Sequence, residues 1–434
     1  MARQLEAWIN QTRVGALEEN NGVWAFTYSR EWLDTPEAYP LCPGLPIRGE
    51  PHVDGASQRP VQWYFDNLLP EEGQRRLLAG AARLAEADAF GLLEHFGAES
   101  AGSLTLLPPG QSPAPGELRA LPDAELSRRI EQMPQMPLAE RAAKRMSLAG
   151  AQHKVAVVFD GRELFEPVGS TPSTHILKPD HPDPAWAHSV VNEWFVMTLA
   201  ARIGLEVPAV HRRYVPQPVY LVQRFDRRQV EGDWERLHCI DACQLLGLDR
   251  AFKYNQGSIE RLREIASDSR PSVRARLGLF RWLVFNVLVG NEDAHLKNLS
   301  LLVTRRGFSL APFYDLLCTA VYGTRAFEQE RWPQQAAMAW PILGIDRLQQ
   351  IDGALLVAAG EAMGIKPATA REHVARLTRA VREQAQALLA EVERENQELS
   401  AARPELRPTL AGELRLLRAV VTIVIAEMAA RLGA

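Results

Sequence analysis

An apolar segment at residues 277–289 constrains this chain more than any other feature of its sequence. It is apolar on nearly every side of a helix, which is typical of a helix buried all round. The segment runs directly into the polar stretch from Gly290 to Asn298, and two short strands are predicted after it, at 299–303 and 308–310. Such a helix needs a large core around it, and 434 residues suffice for two or three lobes.

The order of the predicted elements indicates an α+β protein with two lobes. Residues 140–226 show strand patterns around one long helix at 185–203, which Gly204 ends, whereas the chain after 237 is mostly helical. Another helix is predicted at 75–94. We predict a small N-terminal domain (1–110), a Pro- and Gly-rich linker (111–136), a strand-rich lobe (137–226) and a helical lobe (227–434). A ligand would bind in the cleft between the lobes.

Composition and charge exclude several classes of protein. A net charge of −4 argues against a chain that coats nucleic acid or an anionic membrane. The first residues have no apolar core of a signal peptide, and the longest apolar runs are too short to cross a bilayer. Four scattered cysteines do not form a disulfide framework, although two of them lie four residues apart in a helical pattern: Cys42, Cys239, Cys243 and Cys318. We therefore expect a cytoplasmic protein.

Polar residues around the buried helix match the requirements of phosphoryl transfer. Asp293 and Asn298 are five residues apart, which is the spacing of the Asp and Asn in the catalytic loop of protein kinases. Asp315 follows the predicted hairpin, where a kinase holds its metal. Oxygen donors of this kind suit Mg²⁺. Upstream, Lys178 ends a predicted strand and could grip phosphates, with Glu193 on the next helix as its ion-pair partner.

Each of these residues has a plain structural interpretation when it is considered alone. Spacings such as that of Asp293 and Asn298 occur by chance in solvated turns, and a lysine at a strand end is often a surface residue. Lys297 could stabilise the transferring phosphoryl group, while His295 either contacts phosphate or braces the loop. The complete set in this order favours a kinase.

Seven motifs lie along the chain in this order: Trp63-Tyr-Phe-Asp-Asn-Leu-Leu-Pro70, Met146-Ser-Leu-Ala-Gly-Ala-Gln-His-Lys154, His175-Ile-Leu-Lys178, Asn192-Glu193, Val222-Gln-Arg-Phe-Asp-Arg227, Asp293-Ala-His-Leu-Lys-Asn298 and Pro312-Phe-Tyr-Asp-Leu-Leu317. With these motifs the chain resembles the HipA family, the kinase component of bacterial toxin–antitoxin modules. The resemblance covers nearly the whole chain and thins in the last helices.

The resemblance implies a protein-kinase-like fold and a serine/threonine protein kinase that uses ATP and Mg²⁺. Asp293 would be the base, Asn298 and Asp315 the metal ligands, and Lys178 a phosphate ligand. Ser147 would be autophosphorylated as an off-switch, because phosphate adds about two negative charges to a loop beside the nucleotide. The other residues implied to contact the nucleotide are Ala149, Gly150, Ala151, Gln152, His153, Lys154, Gln223, Arg224, Phe225, His295, Tyr314 and Asp315.

Two positions depart from the family pattern. His153 and Gln223 stand where the family often has Glu, which puts fine contacts with ATP in doubt and leaves the reaction unaffected. The resemblance also implies a protein substrate, with a translation factor such as an aminoacyl-tRNA synthetase as one option. A small helix-turn-helix antitoxin is an implied partner, through which DNA would be contacted indirectly.

Three alternatives remain open from the sequence. The same catalytic loop would serve a small-molecule kinase with a closed, polar acceptor site. A transcriptional co-repressor or binding protein could retain the kinase fold with catalysis secondary. In the plainest interpretation, the acidic residues are solvated loops and the chain has no affinity for nucleotide with Mg²⁺.

Overall fold

The computed structural model describes residues 2–100, 102–133, 135, 136, 138, 148 and 152–433, and the chain divides into two compact units. The first unit comprises Met1–Pro179, Leu221–Phe252 and Ser300–Ala311, and the second comprises Asp180–Tyr220, Lys253–Leu299 and Pro312–Ala434. The chain passes between the units several times, so they are a different partition from the predicted domains. The bounds of those domains stay a prediction.

The first unit begins with a five-stranded antiparallel sheet and four helices. Burial alternates along the strands, so that one face of the sheet packs against helices, and Phe26 lies 5.6 Å from Phe65 between ring centroids. The strands in spatial order are His52–Val53, Val23–Tyr28, Thr12–Asn20, Arg3–Ile9 and Leu104–Leu107. The helices are Arg30–Leu33, Pro60–Asp66, Glu72–Ala82 and Ala89–Phe96.

A second sheet of the first unit carries Lys178. Those of its six strands that belong wholly or partly to this unit are, in spatial order, Pro218–Gln223, of which the last three residues belong here, His175–Pro179, Val155–Phe159, Leu164–Val168 and Glu117–Ala120. The helix Asp123–Glu131 follows the strand Glu117–Ala120 in the chain, within the segment predicted as a linker. Shorter elements complete the unit: the strands Arg227–Val230, Asp233–Arg236, Cys239–Asp241, Ser300–Thr304 and Gly307–Leu310, and the helix Ala242–Leu245.

The second unit is mostly helical around the helix Ser272–Val289. Eleven residues of this helix are buried, including every residue from Trp282 to Val289, which confirms the predicted buried helix. The other α-helices are Ser189–Arg202, Ile259–Asp268, Gly353–Ala362, Pro367–Ala402, Arg407–Ala419 and Ala426–Arg431, with a π-helical turn at Val420–Ile425. The strands are Val210–Tyr214, the first half of Pro218–Gln223, Ala337–Ile342 and Ile345–Arg347.

Two predicted helices were wrong in extent. The helix predicted at 75–94 is interrupted because Arg83 adopts a left-handed conformation with φ 56° and Asp88 caps a new helix. The helix predicted to begin at 185 starts at Ser189, because His188 is left-handed with φ 62°. Its end at Gly204, with φ 75°, is as predicted.

The pattern of Cys239 and Cys243 was also misinterpreted. Cys239 lies on the strand Cys239–Asp241, whereas Cys243 lies on the helix Ala242–Leu245, so the two do not share a helix face. Across the described part of the chain, no group of three or more His, Cys, Asp or Glu side chains is arranged to hold a metal ion. Among the same residues, no helix has both the length and the apolar character that crossing a membrane requires.

Candidate active site

A glycine ends the buried helix and starts the candidate catalytic loop. Gly290 has φ 63° and ψ 45°, a left-handed conformation that ends the helix. A Cβ atom at this position would lie 2.7 Å from Cγ1 of Val424 and 2.9 Å from Cβ of Ala320. Both the backbone conformation and the lack of space therefore require glycine here.

Buried amide side chains fix the first part of the loop. The Asn291 Nδ2 group donates to Oδ1 of Asn286 at 2.8 Å, and Oδ1 of Asn291 accepts the backbone N–H of Asp293 at 3.1 Å. Both asparagines are fully buried. This relay was not predicted, although an asparagine within the apolar run 282–289, four residues before Gly290, was a usable signal.

The opposite side of the loop is held by Glu292 and Thr319. The backbone N–H of Glu292 donates to Oγ1 of Thr319 at 2.6 Å, and the Glu292 Oε1 atom accepts the backbone N–H of Ala337 at 3.1 Å. Burial raises the pKa of Glu292 above its ordinary value. Together with the asparagine relay, these contacts give the loop a defined backbone.

Asp293 itself is exposed and accepts a hydrogen bond from a tyrosine. The hydroxyl of Tyr254 donates to Oδ1 of Asp293 at 2.8 Å, and its ring lies edge-on to His295 with centroids 5.0 Å apart. Sequence reasoning missed Tyr254, because it precedes Asp293 by almost forty residues and no spacing rule links them.

Asn298 and Asp315 are brought together in this unit. Asn298 closes the short 3₁₀ turn Leu296–Asn298, where its Oδ1 atom accepts the backbone N–H of His295 at 3.2 Å. Its Nδ2 atom lies 3.5 Å from Oδ2 of Asp315, which has the uncommon φ of 52°. The amide oxygen of Asn298 and the carboxylate of Asp315 are hard oxygen donors of the type that Mg²⁺ prefers, so the chemistry of these two residues fits this ion.

Lys297 and Tyr314 are joined through the main chain. The Tyr314 hydroxyl donates to the backbone oxygen of Lys297 at 2.7 Å, and the lysine is buried. This hydrogen bond ties the loop to the segment that carries Asp315. The predicted roles of Lys297 in catalysis and of Tyr314 and His295 in nucleotide binding stay predictions.

The side chains of Glu193 and Asp315 both act electrostatically on the phenol of Tyr220. Burial raises the pKa of Tyr220 well above its ordinary value, and the negative charges of Glu193 and Asp315 raise it further. The neighbouring Asn192 exchanges two hydrogen bonds with the backbone of Cys318, at 2.9 and 2.8 Å. The helix Ser189–Arg202 therefore positions the segment that follows Asp315. The predicted partner of Glu193, Lys178, belongs to the other unit, and that ion pair stays a prediction.

The predicted nucleotide-binding residues of the first unit are only partly described. Ser147, Ala149, Gly150 and Ala151 lie outside the described residues. His153 and Lys178 are buried, while Gln152 and Lys154 are half-buried.

Arg224, at the centre of the predicted adenine-binding segment, is held by hydrogen bonds. The backbone N–H of Arg224 donates to the oxygen of Thr174 at 2.9 Å, and its guanidinium donates to Asp226 at 2.9 and 2.7 Å. The Arg224 side chain is thus bound within its own unit, and only its main chain could serve a nucleotide. Gln223 and Phe225 beside it are half-buried.

Comparison with known proteins identifies the family. The profile of the HipA N-terminal domain matches residues 5–107, and that of the HipA-like C-terminal domain matches residues 146–385. A protein named as a kinase, Y4mE of Sinorhizobium fredii, is 40% identical over 74% of this chain and 78% of its own length. The serine/threonine-protein kinase toxin HipA of Shewanella oneidensis is 30% identical over 77% of this chain and 78% of its own length.

A solved structure has the same fold. The Shewanella oneidensis toxin–antitoxin complex of HipA, HipB and operator DNA contains a chain that matches 98% of this chain and 99% of its own length. The TM-score is 0.76 and the sequence identity 26%. This confirms the predicted α+β, kinase-like fold. The chain belongs to the HipA family, and it is a kinase of that family.

Proposed function

We propose that this chain is a cytoplasmic, ATP- and Mg²⁺-dependent kinase that phosphorylates a serine or threonine of a protein target. The observation that carries the proposal is the grouping of Asp293, Asn298 and Asp315 in one unit. The loop of Asp293 and Asn298 has a fixed backbone, and Asn298 lies 3.5 Å from Asp315. Phosphoryl transfer depends on this kind of positioning more than on covalent chemistry.

Each residue of the group has a proposed task. Asp293 orients the acceptor hydroxyl and takes its proton. Asn298 and Asp315 hold Mg²⁺, which would neutralise charge on the phosphates when bound. Lys178 and the segment 149–154 bind the phosphates of ATP, and Gln223, Phe225 and the main chain of Arg224 contact the adenine.

The exposure of Asp293 favours a protein as the acceptor. A small-molecule kinase encloses its acceptor, whereas Asp293 and the adjoining Tyr254 are both accessible, the latter at 37% of its surface. The target class remains a proposal, with a translation factor such as an aminoacyl-tRNA synthetase as one candidate. Ser147 is the proposed autophosphorylation site that switches the kinase off.

The first test measures transfer of radiolabelled phosphate from ATP to protein. Asp293→Asn should lower the rate at least about a hundredfold, because general-base catalysis typically contributes that much. Asp346→Asn makes the same change of charge at an exposed position of the same unit, and it should leave the rate unchanged. A fully active Asp293→Asn variant, or label found only in metabolites of a treated lysate, would contradict the proposal.

The partner is proposed to be a small helix-turn-helix antitoxin. The related Shewanella oneidensis HipA was solved with HipB and operator DNA, which supports a similar assembly here. The net charge of −4 suggests that DNA is contacted mainly through that partner. In a gel-shift experiment the chain alone should not retard an operator fragment, and it should do so once the antitoxin is added.

A further inference from the structure

An exposed tyrosine contacts the proposed base directly. Tyr254 keeps 37% of its surface exposed, yet its hydroxyl donates to Oδ1 of Asp293 at 2.8 Å. Hydrogen bonds from a neutral donor to an ionised acceptor are stronger than those between neutral groups. This contact therefore constrains how the carboxylate faces solvent.

The ring of Tyr254 is held by its neighbours. His295 meets it edge-on at 5.0 Å between centroids, and Nζ of Lys253 lies 4.9 Å from the ring centroid. The backbone oxygen of Lys253 accepts the N–H of Leu296 at 3.1 Å. The segment of Tyr254 is thus linked to the catalytic loop through both main chain and side chain.

Trp340 connects the turn that begins at Tyr254 to the catalytic loop. The turn that begins at Tyr254 is closed by the N–H of Gly257, which donates to the Tyr254 oxygen at 3.0 Å. A Cβ at Gly257 would lie 2.5 Å from Cγ of Trp340, so only glycine lets the turn pack on the indole. The indole Nε1 group donates to the backbone oxygen of Ala294 at 3.0 Å. Trp340 therefore fixes the distance between Tyr254 and the loop.

We propose that Tyr254 is a positioning residue for the phosphoryl acceptor, an inference that rests on the proposed function. The phenol holds Oδ1 of Asp293 so that the carboxylate is oriented toward a serine or threonine hydroxyl. A carboxylate can accept about four hydrogen bonds, so the phenol and the acceptor hydroxyl can be held at the same time.

The proposed phosphoryl transfer needs no reactant besides ATP and the acceptor hydroxyl. The acceptor oxygen forms a bond to the γ-phosphorus of ATP, the bond from that phosphorus to the leaving ADP oxygen breaks, and the hydroxyl proton passes to Asp293. The phenol keeps its own proton throughout. By donating to the carboxylate, it favours the ionised form that accepts the acceptor's proton.

The test is Tyr254→Phe, which removes the hydroxyl and keeps the ring against His295 and Lys253. With dephosphorylated casein as acceptor, we expect kcat to fall roughly tenfold, since a hydrogen bond to a charged group is lost. The KM for ATP should not change, and the acid limb of the kcat profile should move to higher pH. In the Asp293→Asn background the same substitution should have no further effect.

The matched control is Tyr28→Phe. Its hydroxyl bonds to the backbone of Leu41 and Leu45 in the first unit, so its loss should leave all kinetic constants unchanged. An independent readout is the ¹³C signal of the Asp293 carboxyl in aspartate-labelled protein, identified by its absence in Asp293→Asn. Its titration midpoint should move up in Tyr254→Phe, whether or not casein is accepted.

Three outcomes would overturn the inference: an unchanged kcat with an unchanged titration midpoint, a faster enzyme, or an effect confined to the KM for ATP. A faster enzyme would mean that the phenol blocks the acceptor. Failure of the proposed function is a separate result, because it would appear as an active Asp293→Asn variant whatever the behaviour of Tyr254→Phe.

Discussion

Each of the two units contains a buried cluster of charged side chains, and the two clusters differ in how many arginines accompany their carboxyl groups. In the first unit, the arginine cluster consists of Glu99, Arg224, Asp226, Arg227 and Arg236. Glu99 accepts hydrogen bonds from Arg227 and Arg236, at 2.9 Å each. Burial alone would raise the pKa of Asp226, but the adjacent Arg224 and Arg227 lower it to about 2. Both guanidinium groups thus keep this carboxyl ionised.

In the second unit, the glutamate cluster consists of Asp180, Arg212, Tyr214, Asn396 and Glu413. The hydroxyl of Tyr214 and the guanidinium of Arg212 both donate to Oε2 of Glu413, at 2.7 and 3.2 Å. Among the described residues, Oε1 of Glu413 has no hydrogen-bond partner. Burial raises the pKa of Glu413 to about 7, although Arg212 opposes the shift, and burial raises that of Asp180 to about 6.

The comparison shows that burial alone does not decide whether a carboxyl group is charged. Three arginines surround two carboxylates in the first unit, and the carboxyl group of Asp226 stays ionised. Among the described residues a single arginine pairs with Glu413, and the donors from Arg212 and Tyr214 both bind the same oxygen of Glu413. The number and placement of donors therefore set the charge. Three predictions test this difference, from the largest expected effect to the smallest.

Glu99→Gln should lower the free energy of unfolding by about 3–5 kcal/mol, because it leaves buried guanidinium groups without their counter-charge. Urea unfolding at pH 8 measures the effect. Glu413→Gln is the matched control, since it removes the other buried glutamate at a pH where that group is ionised and only partly paired. We expect the control to lose less than about 1 kcal/mol. An equal loss of unfolding free energy in the two variants would show that the two clusters do not differ in how strongly their glutamates stabilise the protein.

Glu413 should make stability depend on pH in a way that Glu413→Gln abolishes. The folded protein keeps the proton between the ordinary pKa of 4.5 and the raised value of about 7, whereas the unfolded chain releases it. The stabilising contribution is therefore complete below pH 4.5 and is lost as the pH rises to 7. Across this window the wild type should lose on the order of 3 kcal/mol relative to Glu413→Gln.

Urea unfolding of both proteins at pH 5, 6, 7 and 8 measures this slope. The charged groups that face Glu413 are Arg212 and Asp180, and both remain in the variant. Parallel curves for the two proteins would mean that Glu413 does not titrate in this range.

An exposed ion pair should contribute least to the free energy of unfolding. Arg202 and Glu391 bridge two helices of the second unit, with one contact at 3.0 Å, and their side chains keep 30% and 38% of their surface exposed. Arg202→Ala should cost less than about 1 kcal/mol, and 0.5 M NaCl should reduce the difference further. A cost near that of Glu99→Gln would contradict the distinction between buried and exposed charges.

The candidate catalytic loop could be identified in the sequence because its signals are local. The spacing of Asp293 and Asn298 and the apolar helix before Gly290 lie within about twenty residues. Tyr254 could not be found in this way, since tertiary packing brings it to Asp293, through Trp340 and the hydrogen bond from Leu296 to Lys253. The unpaired oxygen of Glu413 is likewise a result of how the helix Arg407–Ala419 packs.

Two helix bounds were predicted wrongly for a related reason. Arg83 and His188 take left-handed conformations that are uncommon outside glycine and asparagine, so no residue preference signalled the breaks. By contrast, the pairing of Val155–Phe159 with Leu164–Val168 has a local signal, because Asp160 and Gly161 lie between two apolar runs.

The arginine cluster also limits how the chain can be dissected. Glu99 lies in the stretch that matches the HipA N-terminal domain, whereas its guanidinium partners lie in the stretch that matches the HipA-like C-terminal domain. A protein shortened to begin at residue 108 would keep three arginines around the single carboxylate of Asp226. Two regions that family profiles delimit separately thus share one buried cluster of ion pairs, and excising the C-terminal region alone would remove the counter-charge of Glu99 from its interior.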